Sequence, residues 1–276
     1  MRRAYSFTKS IIFSFWAATA VVILKELISS KPFIPIESVK LGSVVAGVLI
    51  ICSLVIRLAR QIYMIHLDRK IRRIMRVQGV TPEVLHILRS RVDKARSDED
   101  RDEGRLILAS FLSEGCCYER CFEVLREIDV SNLSDPAKEE YFNVYVYTNL
   151  MIGDVEAAQG IYDRAAGFFD RARRRRSAMP VLHTMGALEY AKGNYKEAED
   201  CFTQAMAYAV GKSSRCECEM FLSLCYLKTG RLIHAANAAR AAARDSVTVY
   251  QRRSIEGLRA QIEEMIPASS RKETAV

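Results

Sequence analysis

Six of the eight cysteines stand in two close groups, Cys116, Cys117 and Cys121, then Cys216, Cys218 and Cys225. Thiols in such numbers can ligate zinc or exchange electrons, so a cysteine-based metal-binding or redox-sensing membrane regulator is one reading of the chain. The paired C-x-x-C spacing of a zinc site is missing, and most of these thiols fall where a helix turns a small apolar residue inward. The plainer expectation is a reduced compartment in which they act as small hydrophobes, with no metal and no cofactor. The four histidines, His66, His86, His183 and His234, are far apart on separate predicted helices. There is no glycine-rich phosphate loop, nucleophile elbow or metalloprotease helix motif, so no enzyme activity is expected.

The arginines offer a second kind of chemistry. The net charge of +8 is unevenly placed. Arg57, Arg60, Arg69, Lys70, Arg72, Arg73 and Arg76 follow an apolar run with only Asp68 opposing them, and RARRRR runs from Arg171 to Arg176. Such clusters attract acidic lipid, an acidic partner or nucleic acid. No aromatic platform or known nucleic-acid module accompanies them, so nucleic acid is not expected as a partner. Arg69, Lys70, Arg72, Arg73 and Arg76, with Arg173, Arg174, Arg175 and Arg176, are the candidate contacts to acidic lipid or an acidic partner.

The elements that carry these residues are helical throughout. Val/Ile/Thr alternation is almost absent after Thr81, and Gly and Pro are sparse, which points to an all-α fold. Ser10 to Leu24 and Leu41 to Ile56 contain no charge, and each is flanked by Lys or Arg. Each uncharged run covers about 22–24 Å as a helix, and flanking residues that extend or snorkel bring it to membrane-spanning length. A transmembrane hairpin is the favoured reading. A signal peptide is weighed against it and lacks a small-residue cleavage site before Lys25; buried core helices are also weighed and lack the expected polar face. Basic residues before the first span and after the second place both termini in the cytoplasm of a multi-pass cell-membrane protein with two spans. A bacterial inner membrane is the expected location. Small residues at four-residue spacing, Ser14/Ala18, Gly42/Ala46 and Ser43/Gly47, suit close packing of the two spans or a homodimer through them. From Arg57 to Met75 the pattern is helical, either as a continuation of the second span or as a helix lying on the anionic leaflet.

Farther on, the chain repeats. GNYKEAEDCFTQA places Gly193, Ala198, Phe202 and Ala205 at the offsets of Gly153, Ala158, Tyr162 and Ala165, and of Gly230, Ala235, Ala239 and Ala242. A weaker copy supplies Gly115, Cys121, Leu125 and Ile128. Another helical segment precedes each glycine. A small residue in each second helix admits close crossing, and the glycine admits a left-handed backbone at the turn. With Gly186, Tyr195 and Tyr226, these features resemble the tetratricopeptide repeat family, which is built of helix–turn–helix units. The resemblance covers about half the chain. The usual tryptophan and closing proline are absent, and the period runs a few residues long.

The resemblance implies an α-solenoid of about four helix pairs with a C-terminal capping helix, whose first helices line a groove for a protein or peptide partner. By register, Asn143, Tyr147 and Leu150, then His183, Ala187 and Tyr190, then Met220, Leu224 and Leu227 face that groove. None of the nine is Lys or Arg, so the family's clamp for a C-terminal carboxylate is not expected, and an apolar segment or helix suits the groove better. The expected organisation is a transmembrane hairpin at 1–57 (spans at about 10–28 and 41–57) and a basic juxtamembrane helix with linker or cap at 58–99. Tetratricopeptide-like repeats follow at 100–246, then a capping helix at 247–267 and a disordered tail at 268–276. The function expected from this is a membrane-tethered scaffold or adaptor.

Overall fold

The computed structural model describes residues 36–265. The expected first span, its loop as far as residue 35, and the tail from 268 lie outside those residues, while residues 36–40 of that loop are helical. Every regular element among the described residues is helical, so the chain is all-α. It divides into two compact units at Asp68 and Arg69.

In the first unit lies most of α1 (Ile36–Gln78), a single 43-residue helix. At 1.5 Å per residue it is about 65 Å long. The part from Ile50 to Gln78 is long and apolar enough to cross a membrane, with an 18-residue window of mean hydropathy 1.5 that is wholly unburied. Ile51, Val55, Ile56 and Leu58 are exposed. Of the two courses open to residues 57–75, the helix takes the continuous one.

The second unit carries α2 (Pro82–Asp93), α3 (Asp98–Glu114), α4 (Tyr118–Arg126), α5 (Asp135–Met151), α6 (Val155–Arg164) and α7 (Ala166–Ala172). Then come α8 (Met179–Ala191), α9 (Tyr195–Tyr208), α10 (Lys212–Lys228), α11 (Leu232–Asp245) and α12 (Val249–Met265). Ser97 caps α3 through a hydrogen bond from the Asp100 N–H, and Asp98, Glu99 and Asp100 sit in its first turn, where the helix dipole favours negative charge. The acidic stretch from Asp98 to Glu103 is therefore the start of a helix.

Four turns close in the same way. The N–H groups of Cys117, Asp154, Asn194 and Arg231 donate to the carbonyls of Leu112, Asn149, Glu189 and Tyr226, each at 2.9 Å. One residue earlier in each turn the backbone is left-handed, at Gly153 (φ 89°), Gly193 (φ 86°) and Gly230 (φ 74°). These are the hydrogen bonds that satisfy the last carbonyls of a helix ended by a left-handed residue. In the first turn the left-handed residue is Cys116 (φ 55°), whereas Gly115 keeps φ −91°. The glycine expected at that turn is thus displaced by one position. A left-handed cysteine costs about 1 kcal/mol that glycine would not.

Five residues beyond each left-handed position stand Cys121, Ala158, Ala198 and Ala235, all fully buried, so α3/α4, α5/α6, α8/α9 and α10/α11 cross closely. The first helices also touch in succession, α3 on α5, α5 on α8, α8 on α10 and α10 on α12. The extra length between the second and third glycines is taken up by α7, which branches from α6 at Ala165. Helix α12 buries Ile255, Leu258 and Ile262 at one end of the row, and α2 buries Val84 and Leu88 against α3 at the other.

Candidate functional site

The row of first helices borders an open cavity of about 960 Å³ within the second unit, with the last turns of α1 and the inner face of α12 forming the rest of its wall. Asn143 and Tyr147 of α5, His183 of α8, and Met220 and Leu224 of α10 line it. Leu150 and Ala187 are core residues instead. Tyr190 lies off the cavity against Tyr195, ring centroids 5.4 Å apart, and Leu227 packs into the α10–α11–α12 core.

The lining is more polar than an apolar groove. Tyr118 and Tyr147 stand edge to face with centroids 6.4 Å apart, and Tyr147 continues to His183 at 5.6 Å. His183 is 5% exposed, wedged against Phe202 and Phe221. Burial pushes its pKa down to about 4, so the imidazole is neutral at pH 7. Neither His183 Nε2 nor Asn143 Oδ1, both buried, has a hydrogen-bond partner in the protein. Burial also raises the Tyr118 and Tyr147 hydroxyls above the ordinary tyrosine range, and the Glu217 charge adds to the shift at Tyr147.

Four carboxylates reach the cavity. Glu114 pairs with Arg72 at 3.0 Å and Glu139 with Arg175 at 2.5 Å, while the exposed Glu140 accepts from the Ser110 hydroxyl at 2.8 Å. Glu217 is different. Its side chain keeps some surface on the cavity, yet its carboxyl is surrounded by protein, and burial, reinforced by the Glu114 charge, pushes its pKa up to about 7. The Gln251 amide donates to Glu217 Oε1 at 3.3 Å and opposes that shift. The same amide donates to the Ser213 hydroxyl at 2.8 Å, while Gln251 Oε1 accepts from the Val247 and Thr248 N–H groups, so Gln251 is itself fixed.

Sequence reasoning missed Glu217, Gln251 and Tyr118. Glu217 was within reach, since it lies three and seven residues before Met220 and Leu224 on one helical face. Gln251 belongs to a helix read only as a cap.

The basic candidates are divided. Lys70 pairs with Glu83 at 2.8 Å and Arg173 with Asp170 at 3.0 Å, while Arg72 and Arg175 hold the cavity carboxylates. Arg72 also lies over the Phe111 ring at 5.1 Å. Arg69, Arg73, Arg76, Arg174 and Arg176 are exposed, and Arg76 borders the cavity.

The cysteines do not converge. Cys216, Cys218 and Cys225 lie in three separate core clusters, and Cys121 donates to the Ala109 carbonyl at 3.2 Å. Among the described residues no three His, Cys, Asp or Glu side chains are grouped to hold a metal ion. Burial pushes the thiols of Cys216, Cys218 and Cys225 up to about 12, so they stay protonated. Cys116, on the cavity wall, accepts from the Tyr118 hydroxyl at 3.4 Å, and burial raises its pKa too. None of these is an activated nucleophile.

Comparison with known proteins finds no matching family model, no matching curated protein and no matching solved structure.

Proposed function

We propose that the protein is a membrane-tethered adaptor, not an enzyme, whose tetratricopeptide-like solenoid holds a segment of another polypeptide in the cavity. The observation that carries this reading is the succession of first helices, α3, α5, α8 and α10, around one concave space lined by aromatic rings and polar side chains. Concave sites that mix aromatic walls with a few convergent polar groups are the usual form of a binding site. The lining favours an amphipathic segment over the purely apolar one that the nine register positions suggested.

The anchor is a two-span hairpin with both termini in the cytoplasm of a bacterium. Its exposed apolar second helix and the positive-inside rule support that topology. Arg69, Arg73, Arg174 and Arg176 face acidic headgroups or an acidic partner, and small residues on the spans serve hairpin packing or a homodimer. Tethering raises the effective concentration of a weak binder beside membrane partners.

The test uses the full chain in sealed cells, with a photo-crosslinking residue at Tyr147 or, as control, at the exposed Ile233. The expected result is one defined polypeptide captured from Tyr147 and not from Ile233, with the protein retained on membranes after a carbonate wash. Release by carbonate, or capture that ignores the position of the crosslinker, would overturn the reading.

A further inference from the structure

We propose that α1 pairs with α1 of a second copy of this chain, parallel and in register, along Ile51, Val55, Leu58, Ile62 and Ile65; this rests on the membrane anchor proposed above.

The spacing comes first. The five residues follow one another at intervals of four, three, four and three. At about 100° per residue they stay within about 40° of one line along the helix. All five are exposed, by 48% to 62%. In the sequence of the same helix the intervals run back through Val48, Val44 and Leu41. An apolar repeat of 3.5 residues sustained over more than three heptads is the seam of a left-handed coiled coil, in which each seam residue enters a hole on the facing helix. Val55 and Ile62 are β-branched at the a positions and Leu58 takes the d position between them, a combination that favours two strands.

Lipid covers only part of this seam. Ahead of Arg57, Leu54 and Ile56 are exposed on other sides of the helix, as hydrocarbon allows. Beyond Arg57 the exposed apolar side chains as far as residue 70 are Leu58, Ile62, Tyr63 and Ile65, three of them on the seam. Ile62 and Ile65 stand about 8 and 12 Å past Arg57 along the axis, outside the hydrocarbon layer of the proposed anchor. The chain's own second unit takes the other side of the helix: Ile71 and Met75 are buried, and they lie about 200° and 240° round from Ile51. Positions 42 and 46, the small pair suited to close packing of the first span, fall on that same other side, at about 180° and 220°.

A second copy offers the complementary surface. Two copies in one membrane share a topology, so the two-fold axis between them lies along the membrane normal and the helices run parallel, each seam residue facing its counterpart. On the flanks, Gln61 and His66, then Asp68 and Arg73, stand five residues apart. That is the offset at which parallel strands meet across a seam, and the second pair carries opposite charges. The seam ends at Arg69, where a facing copy would set like charges against each other.

The experiment oxidises membranes of cells carrying the full chain with copper phenanthroline. Leu58→Cys, Ile62→Cys, Ile65→Cys or, as control on another side of the helix, Tyr63→Cys is placed singly in a Cys52→Ser background. A disulfide needs Cα atoms within about 7 Å, so each seam position should give about tenfold more covalent dimer than Tyr63→Cys or the background alone. Adding Ile62→Lys should cut the Ile65→Cys yield about tenfold, since two ammonium groups would then face each other, while the chain stays on membranes after a carbonate wash. Equal yield from seam and control, dimer from neither, a covalent product with a different protein in place of the dimer, or a yield indifferent to Ile62→Lys would each overturn the proposal. Any of these in a chain that resists carbonate sinks the pairing alone; release by carbonate sinks the anchor and the pairing with it. Seam crosslinks without capture of a polypeptide at Tyr147 sink the adaptor reading and leave the dimer standing.

Discussion

The Tyr250 hydroxyl accepts a hydrogen bond from the Val80 backbone N–H at 3.1 Å, joining residues 170 positions apart. The bond ties the turn after α1 to α12, the first and last parts of the second unit. The Arg252 guanidinium adds a contact to the Arg76 carbonyl at 3.4 Å. The ring fits because position 79 is glycine: a Cβ there would lie 2.3 Å from the Tyr250 oxygen. Tyr250 also lines the cavity, so this meeting of chain ends forms part of its wall. Tyr250→Phe keeps the ring and removes the acceptor, leaving a part-buried N–H unmet, at a cost of about 1 kcal/mol. Urea unfolding measures the loss, and the Val80 amide should exchange faster with solvent. Unchanged exchange at Val80 would show that the bond does not hold the two ends of the unit together.

A close helix crossing lies behind the cavity wall. A Cβ at Gly186 of α8 would stand 2.9 Å from the Phe202 ring of α9, and Phe202 is fully buried and stacked on Phe221 at 5.0 Å. Gly186→Ala gains roughly 1 kcal/mol of helix propensity. It loses about 1–3 kcal/mol to overpacking, because the ring has no space into which to retreat. The net expectation is destabilisation of about 1 kcal/mol, read as a lower urea midpoint. Adding Phe202→Leu should make the alanine at 186 neutral or favourable. An equal penalty in both backgrounds would mean that the ring contact is not its cause.

How much of this was legible in the sequence depends on how local each cause is. The helix pairs were legible because a left-handed glycine and a buried small residue recur at a fixed offset, as at Gly193 and Ala198. In the first unit the offset survived through Cys121 although the glycine itself had shifted. The break at Ala165 was not legible: it is made by one N–H shared between the Ile161 and Tyr162 carbonyls, and no proline marks it. At the site, the faces of α5, α8 and α10 followed from helical spacing as far as Asn143, Tyr147, His183, Met220 and Leu224. The wall supplied by α1 and α12 did not, because Tyr250 and Val80 meet only once the whole unit is folded. Burial of Glu217 is likewise a property of the assembled concavity, since the same glutamate on an isolated α10 would face water.

That burial sets a pH dependence whose sign is fixed. The folded-state pKa of Glu217 is raised, from 4.5 to about 7, so between those values the folded state binds more protons than the unfolded state. Its contribution to stability therefore falls as pH rises from 4.5 to about 7 and is constant beyond. His183 acts in the opposite direction: its pKa falls from 6.5 to about 4, so its contribution is full above pH 6.5 and is lost as pH drops toward 4. Between pH 4.5 and 6.5 the two slopes oppose each other and flatten the wild-type curve. Glu217→Gln removes one slope alone, so the stability of the variant minus that of wild type should grow from pH 4.5 to 7 and then level off. Urea unfolding at half-unit pH intervals measures that difference. A difference that is flat with pH would show that the Glu217 carboxyl remains as well solvated in the cavity as in the unfolded chain.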